Sequence, residues 1–93
     1  MMGESFYVMV FNSTEDTIKT EKILNRTFKT SIMPTPREIS KSCGFAIRFS
    51  GVTEEEILRE ASTIEVSWGV YYLGKRKEDG TRVVRNVGEN RRK

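Results

Sequence analysis

The run Phe6-Tyr7-Val8-Met9-Val10-Phe11 places apolar or aromatic side chains on both faces of any strand it forms. Successive strand side chains point to opposite faces of a sheet. A strand that is apolar on both sides needs cover on each, which is the environment of a central strand. The rest of the chain must therefore supply neighbours on either side of it. At six residues the run is far short of the ~20 that span a membrane. It also follows Glu4 without a basic leader, so it does not read as a signal peptide. A cytoplasmic protein is expected.

The neighbours follow in order. Ser13 reads as an N-cap with Asp16 three residues on, opening a helix that carries Thr14, Thr17, Ile18, Glu21, Leu24 and Phe28 on one side. Lys29 to Met33 is a second strand, stopped by Pro34. Gly44 to Ser50 is a third, with Phe45, Ile47 and Phe49 on one face and Gly44, Ala46 and Arg48 on the other. Thr53-Glu54-Glu55-Glu56 is a capping box, followed by Ile57, Leu58 and Ala61 as a buried helical side. Ile64 to Leu73 is a fourth strand. The order βαββαβ is that of the ferredoxin-like α+β fold: a four-stranded antiparallel sheet with two helices on one face and its second face available.

Charge divides the chain. Residues 1–74 hold 8 basic and 10 acidic residues, and residues 75–93 hold 8 basic and 3 acidic. The expected organisation is one domain over 1–74 and a basic, flexible tail over 75–93. Within the tail, Glu78-Asp79-Gly80-Thr81 resembles a turn that could let Arg82 to Val87 pair. The chain contains no histidine, which excludes Cys-His and Ser-His nucleophile pairs. Its glycines are scattered without a phosphate-binding loop. No cofactor is implied, and conventional hydrolase or nucleotide-dependent activity is not expected.

One cysteine, Cys43, excludes an internal disulfide framework. It lies in Pro34-Thr35-Pro36-Arg37-Glu38-Ile39-Ser40-Lys41-Ser42-Cys43-Gly44, which holds both prolines of the chain. Thr35, Pro36 and Glu38 read as a capped helical start of one or two turns, with Gly44 supplying a left-handed exit. Arg37 and Lys41 are cations that favour thiolate, and Ser42 and Gly44 are small enough to leave the sulfur accessible. Against this, the C-terminal end of a helix disfavours thiolate. The structural alternative is a small apolar residue packed at the start of a strand. Glu21, a carboxylate in an apolar stripe, either reaches solvent or pairs with Arg37 or Lys41 to orient the loop.

The residues Met33-Pro34-Thr35-Pro36-Arg37-Glu38-Ile39-Ser40, then Ser42-Cys43-Gly44 and Phe45-Ala46-Ile47, resemble a family of small bacterial and archaeal proteins described as selenium/sulfur carrier protein-like. Tyr7 to Phe11 and Glu21 to Leu24 fit the same order, so the likeness runs from Phe6 to Leu73. The resemblance implies that Cys43 carries sulfur as a persulfide or selenium as a perselenide. It implies a donor enzyme of the cysteine desulfurase type and an acceptor protein.

The rival reading is a nucleic-acid-binding module. RNA-recognition motifs share the element order, and Gly44 to Phe49 approaches their third-strand pattern. It lacks one residue of that pattern, and the face with Gly44, Ala46 and Arg48 gains no ring from this strand. Weak, nonspecific nucleic-acid binding would then fall to the basic tail.

Overall fold

The computed structural model describes residues 5–39, 44–75 and 78–90. Its elements are β1 (Phe6–Phe11), α1 (Thr14–Leu24), β2 (Lys29–Pro34), β3 (Phe45–Ser50), α2 (Glu54–Ala61), β4 (Trp68–Lys75) and β5 (Arg82–Asn90). The strands form one sheet in the order β2-β3-β1-β4-β5. Every pairing is antiparallel. The doubly apolar β1 is central, with Val8 opposite Arg48 on β3 and Tyr71 on β4.

The sheet has five strands, which corrects the expectation of four. β5 pairs along β4 from Lys75↔Arg82 to Trp68↔Asn90. The physical reason is anchoring: Val87 packs on the helix-side core and Val84 on the opposite face. Those valines give an otherwise polar strand apolar contact on both sides. The turn read at 78–81 is present. Gly80 takes φ 73° and the Thr81 amide donates to Asp79 Oδ1 at 2.9 Å. A β-irregularity between Val70 and Tyr71 shifts the register. It brings Gly88 under α2, where an added Cβ would meet Leu58 Cδ2 at 2.8 Å.

Both helix caps follow the sequence signals. The Asp16 amide donates to Ser13 Oγ at 3.1 Å. In α2 the Glu56 amide donates to Thr53 Oγ1 at 3.2 Å and the Thr53 amide donates to Glu56 Oε1 at 3.0 Å. Each satisfies backbone donors that a helix start leaves open. The buried side of α1 is Thr17, Thr20 and Leu24. Ile18 is 47% exposed, so the apolar stripe read through Ile18 is rotated toward small polar residues. Threonines let the helix approach the sheet closely, and the Thr17 hydroxyl is satisfied by the Ser13 carbonyl at 3.0 Å.

Two clusters form the core. Met9, Phe11, Leu24, Ile47, Phe49, Ile57, Ala61 and Val70 fill the space between sheet and helices. Val8, Val10, Ala46 and Leu73 lie on the other face, flanked by Phe6, Met33, Ile39, Tyr71 and Val84. The second face is thus an apolar layer, partly covered by the chain itself. At one end of the helix side, the Tyr7 hydroxyl donates to Glu54 Oε1 at 3.2 Å, and Arg85 approaches the same carboxylate at 3.8 Å. This ties β1, β5 and the first turn of α2 together. No helix among the described residues is long and apolar enough to cross a membrane.

Candidate functional site

The β2–β3 connection begins where its strands end. Pro34 stands opposite Phe45 in the last pair of the ladder. Proline donates no backbone hydrogen bond, which suits the end of an edge strand. One further bond closes the base: the Thr35 amide donates to the Gly44 carbonyl at 3.1 Å. Residues 35 and 44 are thereby held together, and Cys43 is joined by a peptide bond to the latter.

Beyond that base the chain turns at once. The Ile39 amide donates to the Pro36 carbonyl at 3.0 Å. Residues 37–39 form a turn and not the capped helical start expected there. Glu38 does not return to Thr35; its carboxylate stands 3.9 Å from Arg82 Nε on β5. Thr35 Oγ1 is buried with no hydrogen-bond partner among the described residues. The physical cause is Ile39, which packs against the second-face cluster. Ile39 is partly buried there, and that apolar burial competes with a cap worth about 1 kcal/mol.

Arg37 and Pro36 lie in this turn, with Arg37 exposed and Pro36 half-buried. Gly44 is exposed. It is not left-handed, since Gly51 and Gly80 are the glycines with positive φ among the described residues, and a Cβ at Gly44 would meet nothing within 4 Å. The left-handed exit expected at Gly44 is therefore absent, and among the described residues an added Cβ there has open space. Lys41, Ser42 and Cys43 lie outside the described residues.

Of the partners considered for Glu21, Lys41 lies outside the described residues, and the carboxylate has a partner on β2. The Thr30 hydroxyl donates to Glu21 Oε2 at 3.0 Å and also lies 3.2 Å from Asn25 Oδ1. The contact joins α1 to β2 on the helix side, among residues remote from the turn at 36–39. No ion pair between Glu21 and Arg37 exists among the described residues.

The sequence did not reveal Ile39 as an anchor, although an isoleucine in an otherwise polar connection was a usable signal. It also did not reveal that Arg48 stacks on Phe6, with its guanidinium carbon 4.2 Å from the ring centroid. Phe6 and Tyr71 supply rings to the second face that β3 lacks. Among the described residues no group of three or more His, Cys, Asp or Glu side chains could hold a metal ion.

A family model matches residues 6–72, and its description reads "Putative Se/S carrier protein-like". No curated protein and no solved structure matches the chain.

Proposed function

The chain belongs to this Se/S carrier protein-like family, and on that premise we propose that it carries sulfur or selenium on the thiol of Cys43. The observation that carries the reading is the extent of the family match, which spans the whole Pro34–Gly44 connection together with β2 and β3 on either side of it. The chemistry asks for a nucleophilic sulfur and room for a second protein. The single cysteine of the chain, the open space at Gly44 and the exposed Arg37 suit both demands.

Transfer proceeds by thiol–persulfide exchange. The Cys43 thiolate attacks the outer sulfur of a persulfide on a donor enzyme. The donor's S–S bond breaks, its cysteine leaves as thiolate, and a persulfide forms on Cys43. An acceptor thiolate then attacks the terminal sulfur and releases the Cys43 thiolate. No external oxidant or reductant is consumed. Selenium follows the same path as a perselenide. Arg37 and Lys41 favour the anionic forms by charge, and Ser42 and Gly44 leave the approach open. Pro36 holds the turn that carries Arg37. Glu21 supports α1 against β2 and reaches the site only through that packing. The donor is of the cysteine desulfurase type, and the protein works in the cytoplasm.

The scaffold under this reading is a ferredoxin-like unit extended by β5. Its first four strands lie in the order β2-β3-β1-β4, with a helix after β1 and another after β3. The nucleic-acid alternative rests on the positive charge of the C-terminal segment. Two of those cations, Arg82 and Arg85, stand beside Glu38 and Glu54, which reduces the charge they offer to phosphate.

The test is incubation with a desulfurase and cysteine, followed by intact-protein mass spectrometry without reductant. An added sulfur is expected on Cys43, removable by a thiol and lost in Cys43→Ser. A native protein whose cysteine takes up no sulfur and alkylates only after denaturation would falsify the carrier reading.

A further inference from the structure

The second face of the sheet ends in a polar corner. Strand alternation puts Lys29 and Ser31 of β2 on the same face as Arg48 and Ser50 of β3. Pairing sets Lys29 opposite Ser50 and Ser31 opposite Arg48. The two cations are therefore diagonal neighbours, with backbones about 7–8 Å apart, a span that one tetrahedral oxyanion bridges through long side chains. No carboxylate stands on this face of β1, β2, β3 or β4 among the described residues. The nearest carboxylate comes from α2, where Glu56 lines a cavity at the sheet end together with Lys29 and Ser50; Arg48 and Ser31 stand outside that cavity lining.

Arg48 is also prepared for a ligand. Its guanidinium carbon lies 4.2 Å from the Phe6 ring centroid, a cation–π contact. Its Nε is buried with no hydrogen-bond partner among the described residues. A buried donor left unpaired is destabilising. The guanidinium fork matches the geometry of phosphate oxygens. Hydroxyls on both neighbouring positions, Ser31 and Ser50, add donors of the same kind.

We propose that Lys29, Ser31, Arg48 and Ser50 form a binding site for a phosphate-type oxyanion, with Arg48 as its principal donor. The site stands apart from Cys43 chemistry and holds or fails independently of the carrier reading. Phe6 lies against the guanidinium, so the ligand would meet its terminal Nη groups, the Nε being buried. The oxyanion can come from free phosphate or from a phosphodiester strand, and both present the same oxygens.

The experiment is a titration of isotope-labelled full-length protein, read by amide chemical shifts, with inorganic phosphate in one arm and a short oligothymidylate in the other. Saturable shifts are expected at residues 29–31 and 48–50, weakening as salt rises. Arg48→Gln should weaken binding by about tenfold, as expected for loss of a charge-assisted bond. Lys29→Gln should also weaken it, and leaves the Phe6 stack untouched if Arg48→Gln disturbs the fold. Binding of phosphate as tight as the oligonucleotide assigns free oxyanion as the ligand. Tighter oligonucleotide binding at the same residues assigns a phosphodiester strand. Absence of saturable shifts in both arms overturns the site, as does equal affinity in wild type and both variants.

Discussion

The Thr35 amide and the Gly44 carbonyl are joined at 3.1 Å, one step beyond the last strand pair, Pro34 and Phe45. This bond extends the β2–β3 ladder past a proline that cannot itself donate. It also fixes the point from which the connection leaves the sheet. Gly44 contributes its carbonyl and empty space, and it contributes no unusual backbone angle.

Gly44→Ala is therefore expected to fold at least as well as the wild type. An alanine fits without strain, and loss of glycine freedom in the unfolded chain stabilises by about 0.4–1 kcal/mol. If the empty space serves approach of a protein donor, sulfur uptake from the donor enzyme should slow while alkylation by a small reagent stays unchanged. Urea denaturation and the two rates check this together. A lower urea midpoint would show that the backbone at residue 44 does require glycine.

Thr53→Ala is expected to cost about 1 kcal/mol, the usual loss for an N-cap. The cap also shapes acid stability. The Thr53 backbone amide first, and its hydroxyl second, hold the Glu56 carboxyl below its ordinary 4.5. A carboxyl depressed in the folded state stabilises above its unfolded value and loses that contribution as pH falls through the folded one. Stability should accordingly decline below about pH 4.5 in the wild type, and less steeply in Glu56→Gln. Denaturation midpoints measured from pH 6 downward, in steps of about one unit, decide it. Parallel curves for the two proteins would remove Glu56 from the account.

Gly88→Ala is expected to destabilise by about 1 kcal/mol, because the new Cβ meets Leu58 Cδ2 at 2.8 Å. The obstacle is the end of a flexible side chain, so the cost stays small. Leu58→Ala should relieve it. The double variant should be more stable than the sum of the single losses by about 0.5 kcal/mol or more. Strict additivity would mean that β5 and α2 do not touch there in solution.

Removal of residues 81–93 is expected to lower stability by about 2 kcal/mol or more, since Val84 and Val87 leave both apolar layers. The comparison is urea denaturation of the full chain and the truncated chain. Equal midpoints would support the reading of residues 75–93 as a dispensable basic tail.

Much of the scaffold is local and could be read from local chemistry. The caps at Ser13 and Thr53, the turn at Gly80 and the alternation of Phe45, Ile47 and Phe49 each depend on a few adjacent residues. Ile18 shows where that reading fails. An exposed isoleucine beside a buried Thr17 reflects how closely the helix approaches the sheet, which periodicity in one segment does not encode.

By itself the sequence determined that β1 is central, because no solvent-facing strand tolerates apolar side chains on both sides. It determined both helices through their caps. It singled out the Pro34–Gly44 connection, because prolines, cations and the single cysteine coincide there. Only the tertiary structure decided the fate of β5, Ile39 and Arg48. β5 is mostly polar, and its place at the sheet edge comes from Val84 and Val87 meeting two layers built by distant residues. Ile39 bends the connection over a face that Val8, Val10, Ala46 and Leu73 assemble from three strands. Arg48 finds Phe6 across a strand pair. These contacts join residues far apart along the chain, so their energies exist only once the sheet has closed.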